Sequence, residues 1–93
     1  GYLRQQLSAL IDKYPDIFTE LRGVGLMVGL KCTCANTELV AALRAQKLLA
    51  VPAGDNTVRL LPPLNIALDD MRAGIEAVER ACAYLHDQQA GDA

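Results

Sequence analysis

The chain has 93 residues, a formal net charge of −2 and 52% hydrophobic residues, which suits one folded domain and leaves no room for two independent cores. Near-neutral charge without a run of Lys or Arg argues against nucleic-acid and anionic-membrane partners, and each apolar stretch is broken too early to span a bilayer. An odd set of three cysteines defines no disulfide framework and suits a reducing cytoplasm.

The first residues, Gly1 to Arg4, lack the basic-then-apolar pattern of a signal peptide. Leu3, Leu7, Leu10, Ile11 and Tyr14 fall on one stripe and predict an amphipathic helix over residues 1–14, which Pro15 ends. Nothing caps its start, as expected if more chain lies upstream. Ile17 to Arg22 reads as a connector. Residues 23–30 (GVGLMVGL) predict a strand with Leu26, Val28 and Leu30 on one face and Met27, Gly29 and Lys31 on the other. Glycine within a strand often marks a close approach, so the second face is expected to meet other protein.

Asn36 predicts the N-cap of a helix over residues 37–46, with Leu39, Val40 and Leu43 turned inward. Leu48 to Ala53 and Thr57 to Leu61 predict a hairpin about a Gly54-Asp55-Asn56 turn, ended by Pro62 and Pro63. A last helix over residues 68–86 has Met71, Ile75, Val78, Cys82 and Leu85 as its apolar stripe. Asp69 and Asp70 suit its N-terminal dipole, whereas Ala67 is a weak cap. The predicted architecture is α+β: a small, mainly antiparallel sheet with helices on one face. It forms a single domain, with residues 1–16 as a linking helix, 17–87 as the core and 88–93 as a frayed tail.

Most candidate chemistry has a plain structural reading. The glycines of residues 23–29 occupy a strand, whereas a dinucleotide fingerprint opens a helix. Cys32 and Cys34 would need Cys82 and His86, far along the chain, to complete a zinc site, and small buried thiols are the simpler reading. His86 has only its neighbour Asp87 as a nearby carboxylate, and adjacent helical residues do not face each other. Lys13, Lys31 and Lys47 are the only lysines, and none stands in an apolar run that would lower its pKa for Schiff-base chemistry. No nucleophile, acid–base pair or metal cluster is evident. Arg59 is different. Alternation puts Val58 and Leu60 on one face and Thr57, Arg59 and Leu61 on the other, so Arg59 is either poised for bidentate binding of a carboxylate or phosphate or held in a structural ion pair.

Three stretches give the chain a family resemblance. Residues 21–30 (LRGVGLMVGL), 48–56 (LLAVPAGDN) and 58–64 (VRLLPPL) resemble the strand, turn and "R-x-x-PPL" signatures of the class III pyridoxal-phosphate-dependent aminotransferases, most closely the acetylornithine aminotransferases. Lys31 and the Cys32-Thr-Cys34 run depart from the usual pattern, outside the substrate motif. The resemblance implies the C-terminal small domain of a fold-type I enzyme, packed beside a large cofactor-binding domain in a cytoplasmic homodimer. It implies amino transfer with 2-oxoglutarate, with N-acetylornithine as donor and ornithine, succinylornithine, succinyldiaminopimelate or 4-aminobutyrate as alternatives. Arg59 matches the arginine that binds a substrate carboxylate. The cofactor, pyridoxal 5′-phosphate, is expected on the large domain, because none of the lysines here matches the cofactor lysine. The chain alone is therefore expected to be inactive and cofactor-free. A non-enzymatic α+β ligand-sensing or interaction module is the alternative from a different class. The sheet face bearing Met27, Gly29 and Leu61 is expected to be apolar and, without the large domain, prone to self-association.

Overall fold

A computed structural model describes residues 2–23, 28–61 and 68–91. The elements run α1 (Tyr2–Lys13), β1 (Phe18–Arg22), β2 (Val28–Cys32), α2 (Asn36–Ala45), β3 (Ala50–Ala53), β4 (Thr57–Leu60) and α3 (Leu68–Gly91). The strands form one antiparallel sheet in the order β1-β2-β4-β3. All three helices pack on one of its faces, the α+β arrangement expected from the sequence.

The periodic segments bury the residues their spacing selects. Leu7, Leu10 and Tyr14 of the first stripe, Leu39, Val40 and Leu43 of α2, and Ile75, Val78, Cys82 and Leu85 of α3 all enter the core. Val28, Leu30 and Val58 meet them from the sheet. Leu3 and Met71 lie outside the residues whose side chains are described, as do Leu26 and Met27, Ala67 and the Pro62-Pro63 stop.

Four local differences have physical causes. Residues 18–22, expected to be a connector, form β1, an edge strand paired with β2. Of its residues only Phe18 is fully buried, next to the buried turn residue Ile17, and the register shifts between Phe18 and Glu20, so a bulge hides the period of two. The strand expected over residues 23–30 is described from Val28 and runs on to Cys32. Asn36 is not the cap of α2: Ala35 occupies the cap position without a side-chain bond, and Asn56 Oδ1 accepts the Asn36 backbone N–H at 2.8 Å from across the fold. Finally, α3 continues to Gly91, so residues 88–91 extend the helix where a frayed tail was expected.

His86 shows what linear proximity conceals. Its Nδ1 lies 2.7 Å from Asp16 Oδ2, contributed by the turn after α1, and its ring meets Tyr14 edge-on at 5.9 Å. Lys13 similarly joins Glu79 at 2.8 Å, and Arg80 donates to Gln46. These polar contacts tie α3 to the rest of the fold around the rim of the core. The ion pairs are exposed and count for little individually.

Candidate functional site

Strand β4 is paired on both sides, with β2 and with β3. Val58 is fully buried toward the helices and Leu60 packs against the same core. Alternation therefore turns Thr57 and Arg59 to the opposite face. Pairing sets Arg22, Gly29, Arg59 and Val51 in one row across the four strands. Glu20, Lys31, Thr57 and Ala53 form the next row.

Gly29 holds the centre of the first row open. A Cβ there would stand 3.2 Å from Thr57 Cγ2 and 3.5 Å from Arg22 Cβ, so the close neighbours of this glycine include the chain's own side chains. The result is a groove of about 300 Å³ whose walls include Arg22, Thr57, Arg59 and Ala53.

The two arginines in this groove differ. The Arg22 guanidinium donates to Asp55 at 2.8 Å and lies 3.5 Å from Glu20. Asp55 also takes Lys31 at 2.9 Å. The Lys31 ammonium, followed by the Arg22 guanidinium, holds the Asp55 carboxyl below the usual carboxylate range. These exposed pairs orient side chains more than they stabilise the fold. Arg59 is exposed and has no hydrogen-bond or ion-pair partner among the described residues. The structural ion pair that the sequence left open for Arg59 is found instead at Arg22, two strands away. Sequence reading missed Arg22 as a groove residue because it missed β1.

The described part of this face is charged rather than apolar. Glu20, Arg22, Lys31 and Arg59 dominate it, and the large exposed aliphatics Leu49 and Leu61 flank the start of β3 and the end of β4. A second depression, about 600 Å³, lies between α2 and α3, lined mainly by alanine and glutamine with Glu38 as its one charged residue. It gathers no set of polar groups comparable to the two arginines.

The lysines and thiols stay in structural roles. Lys13 and Lys31 are in ion pairs, and Lys47 occupies the left-handed turn after α2 with φ 65°. Cys32, Cys34 and Cys82 are free and buried, and no metal-binding group of three or more His, Cys, Asp or Glu residues occurs among the described residues. Cys32 donates its thiol to the Leu30 carbonyl at 3.5 Å and Cys34 to the Ile17 carbonyl at 3.6 Å, while burial pushes Cys82 up to about 12. Alkylation of the native chain should therefore be slow at all three buried thiols and slowest at Cys82, with full labelling only upon unfolding. Peptide mapping after a short iodoacetamide pulse measures the order, and Cys82 labelling first would contradict it.

Comparison with known proteins matches residues 1–82 to the family model described as Aminotransferase class-III. The acetylornithine aminotransferase of Agrobacterium fabrum is 49% identical over 87 residues, spanning 94% of this chain and 22% of that protein. The Rhodobacter capsulatus acetylornithine aminotransferase is 48% identical over 90 residues, 97% of this chain and 23% of that protein. Among solved structures, the acetylornithine aminotransferase of Elizabethkingia anophelis superposes with a TM-score of 0.81 at 28% identity, over 89% of this chain and 23% of that one. The N-acetylornithine aminotransferase of Stenotrophomonas maltophilia gives 0.80 at 26% identity, over 94% and 25%. The chain thus spans roughly a fifth to a quarter of the length of these relatives. In sequence and in fold alike, it belongs to the class-III aminotransferase family.

Proposed function

We propose that this chain is the substrate-carboxylate-binding small domain of an aminotransferase that exchanges an amino group between N-acetylornithine and 2-oxoglutarate, and that Arg59 binds the substrate carboxylate. The observation that carries the reading is the Arg59 guanidinium, unpartnered among the described residues and projected from a doubly paired strand into a groove beside an arginine that is already paired. A planar, permanently charged fork fixed at its base is suited to grip a carboxylate through two parallel hydrogen bonds. Relatives named acetylornithine aminotransferase favour N-acetylornithine over the other donors. Family membership favours an enzyme over a sensing or interaction module.

Class-III aminotransferases depend on pyridoxal 5′-phosphate. The lysines of this chain do not suit that group, since Lys13 and Lys31 are neutralised by Glu79 and Asp55 and Lys47 is exposed in a turn. On this reading the cofactor supplies the electron sink from a large domain outside these residues, and this chain binds and orients the substrate. The complete enzyme is then a cytoplasmic homodimer, as the family resemblance implies. The charged face turns toward the large domain, which leaves the Leu49 and Leu61 corner as the place where an isolated chain would self-associate.

Arg59→Lys in the complete enzyme tests the role. A point charge cannot reproduce the bidentate fork, so KM for the amino donor and for 2-oxoglutarate should rise by about tenfold. The cofactor absorbance should stay as in the parent. Unchanged KM for both substrates would remove Arg59 from the site.

A further inference from the structure

We propose that Asn56 is a positioning residue for Arg59, acting through a reciprocal side-chain clasp with Asn36. The inference rests on the Arg59 reading above and extends it to what holds the arginine in place. Strand β4 has four residues, and a register slip of one would turn Arg59 toward the helices. The turn before it must therefore be fixed.

Asp55 and Asn56 both adopt left-handed backbone conformations, with φ of 61° and 52°. Asn tolerates this conformation, and Gly would as well. Backbone geometry alone does not require an amide side chain here, yet that side chain makes three hydrogen bonds. Its Oδ1 accepts the Asn36 backbone N–H at 2.8 Å, and its Nδ2 donates to the carbonyls of Cys32 at 3.1 Å and Cys34 at 2.8 Å. One partner is an N–H and two are carbonyls, so the amide can face only one way. The Asn56 carbonyl also accepts from Cys32 N–H at 3.0 Å, carrying the β2–β4 ladder past the end of the strand.

Asn36 completes the clasp. Its Nδ2 donates to the carbonyls of Ala53 at 3.2 Å and Thr57 at 3.1 Å, the residues paired across the neck of the hairpin. Two amide side chains thus tie the turn to the end of β2 and to the first turn of α2. Leu39 and Leu43 root that helix in the core. Arg59 follows three residues after Asn56 on the strand so anchored. The Asp55 ion pairs attach to the same turn, but they are exposed and screened, which leaves the amides as the rigid link.

The test is a double-mutant cycle in the complete enzyme. Asn56→Gly keeps the left-handed turn and removes the three side-chain bonds. It should raise KM for the carboxylate substrates by about tenfold, with kcat changed less and the cofactor absorbance unchanged. Arg59→Ala should then cost about tenfold less in the Asn56→Gly background than in the parent, because the arginine is already misplaced. Asn36→Ala keeps the backbone N–H that Asn56 Oδ1 accepts and removes both bonds to the neck of the hairpin. It should also raise KM, by less than Asn56→Gly, which keeps the question open to measurement if the glycine variant is unstable. Parental KM in both Asn56→Gly and Asn36→Ala, or an equal cost of Arg59→Ala in both Asn56 backgrounds, would overturn the positioning role. If Arg59→Ala alone leaves KM unchanged, the Arg59 reading itself fails and this inference falls with it. A large Arg59→Ala effect that adds independently sinks only the role of Asn56.

Discussion

Arg59→Ala in the complete enzyme is expected to lower kcat/KM for both the amino donor and 2-oxoglutarate by about 10²- to 10³-fold, the scale of losing two charge-assisted hydrogen bonds to a carboxylate. The same substitution should leave thermal stability nearly unmoved. Arg59 is exposed and has no partner among the described residues, so its removal opens no cavity and orphans no buried group. Loss of catalytic efficiency without loss of fold separates a binding arginine from a structural one. Arg22→Ala is the control. It removes the ion pairs to Asp55 and Glu20 on the same face, and Lys31 remains to hold Asp55. Its effect on kcat/KM should be smaller than that of Arg59→Ala. A larger effect at Arg22 would exchange the roles assigned to the two arginines.

The contrast should persist across neutral pH. Asp55 has its folded-state pKa depressed, so its contribution is present above the unfolded carboxylate value and fades only as pH falls through the lower folded value. Between about pH 6 and 9 Asp55 stays ionised and Arg22 stays tethered, given an unperturbed Asp near 3.9. A difference between the two variants that vanished within that range would need another titrating group.

Local periodicity made much of the fold legible in the sequence. The stripes at Leu7, Leu10 and Tyr14 and at Ile75, Val78, Cys82 and Leu85 have the helical period, and the structure buries both. The alternation of Val58 and Leu60 with Thr57 and Arg59 gave the correct face for the arginine before any contact was known. Long-range partnerships were not legible. Asn36 has the composition of a cap, but its amide joins the hairpin while Asn56, 20 residues later, accepts the helix's N–H. Asp16 reaches His86 across 70 residues. The open face was expected to be apolar from Met27, Gly29 and Leu61, yet the strand that brings Glu20 and Arg22 onto it was hidden by a bulge. The arginine could be found from one strand, whereas the groove needs all four.

That hidden strand carries the largest expected stability effect. Phe18→Ala should destabilise the 93-residue chain by about 3–5 kcal/mol, the usual range for deleting a buried aromatic side chain. Phe18 is fully buried at the start of β1, opposite Cys32, and belongs to the same core cluster as Leu7, Leu30 and Leu39. A domain of this size has a total stability of only about 5–14 kcal/mol, so the variant should lose about a fifth of it or more. Urea unfolding should show a lower midpoint with little change in slope, and Tm should fall by on the order of 15–30 °C. Glu20→Ala, exposed in the same strand, should change stability by less than about 0.5 kcal/mol. A similar small effect for Phe18→Ala would mean that β1 is not held by the core. The consequence reaches the site, because β1 supplies Arg22 and pairs with β2 beside Gly29. In the complete enzyme, a Phe18 variant that still folds should therefore also raise KM, through loss of the wall opposite Arg59 rather than of the arginine itself.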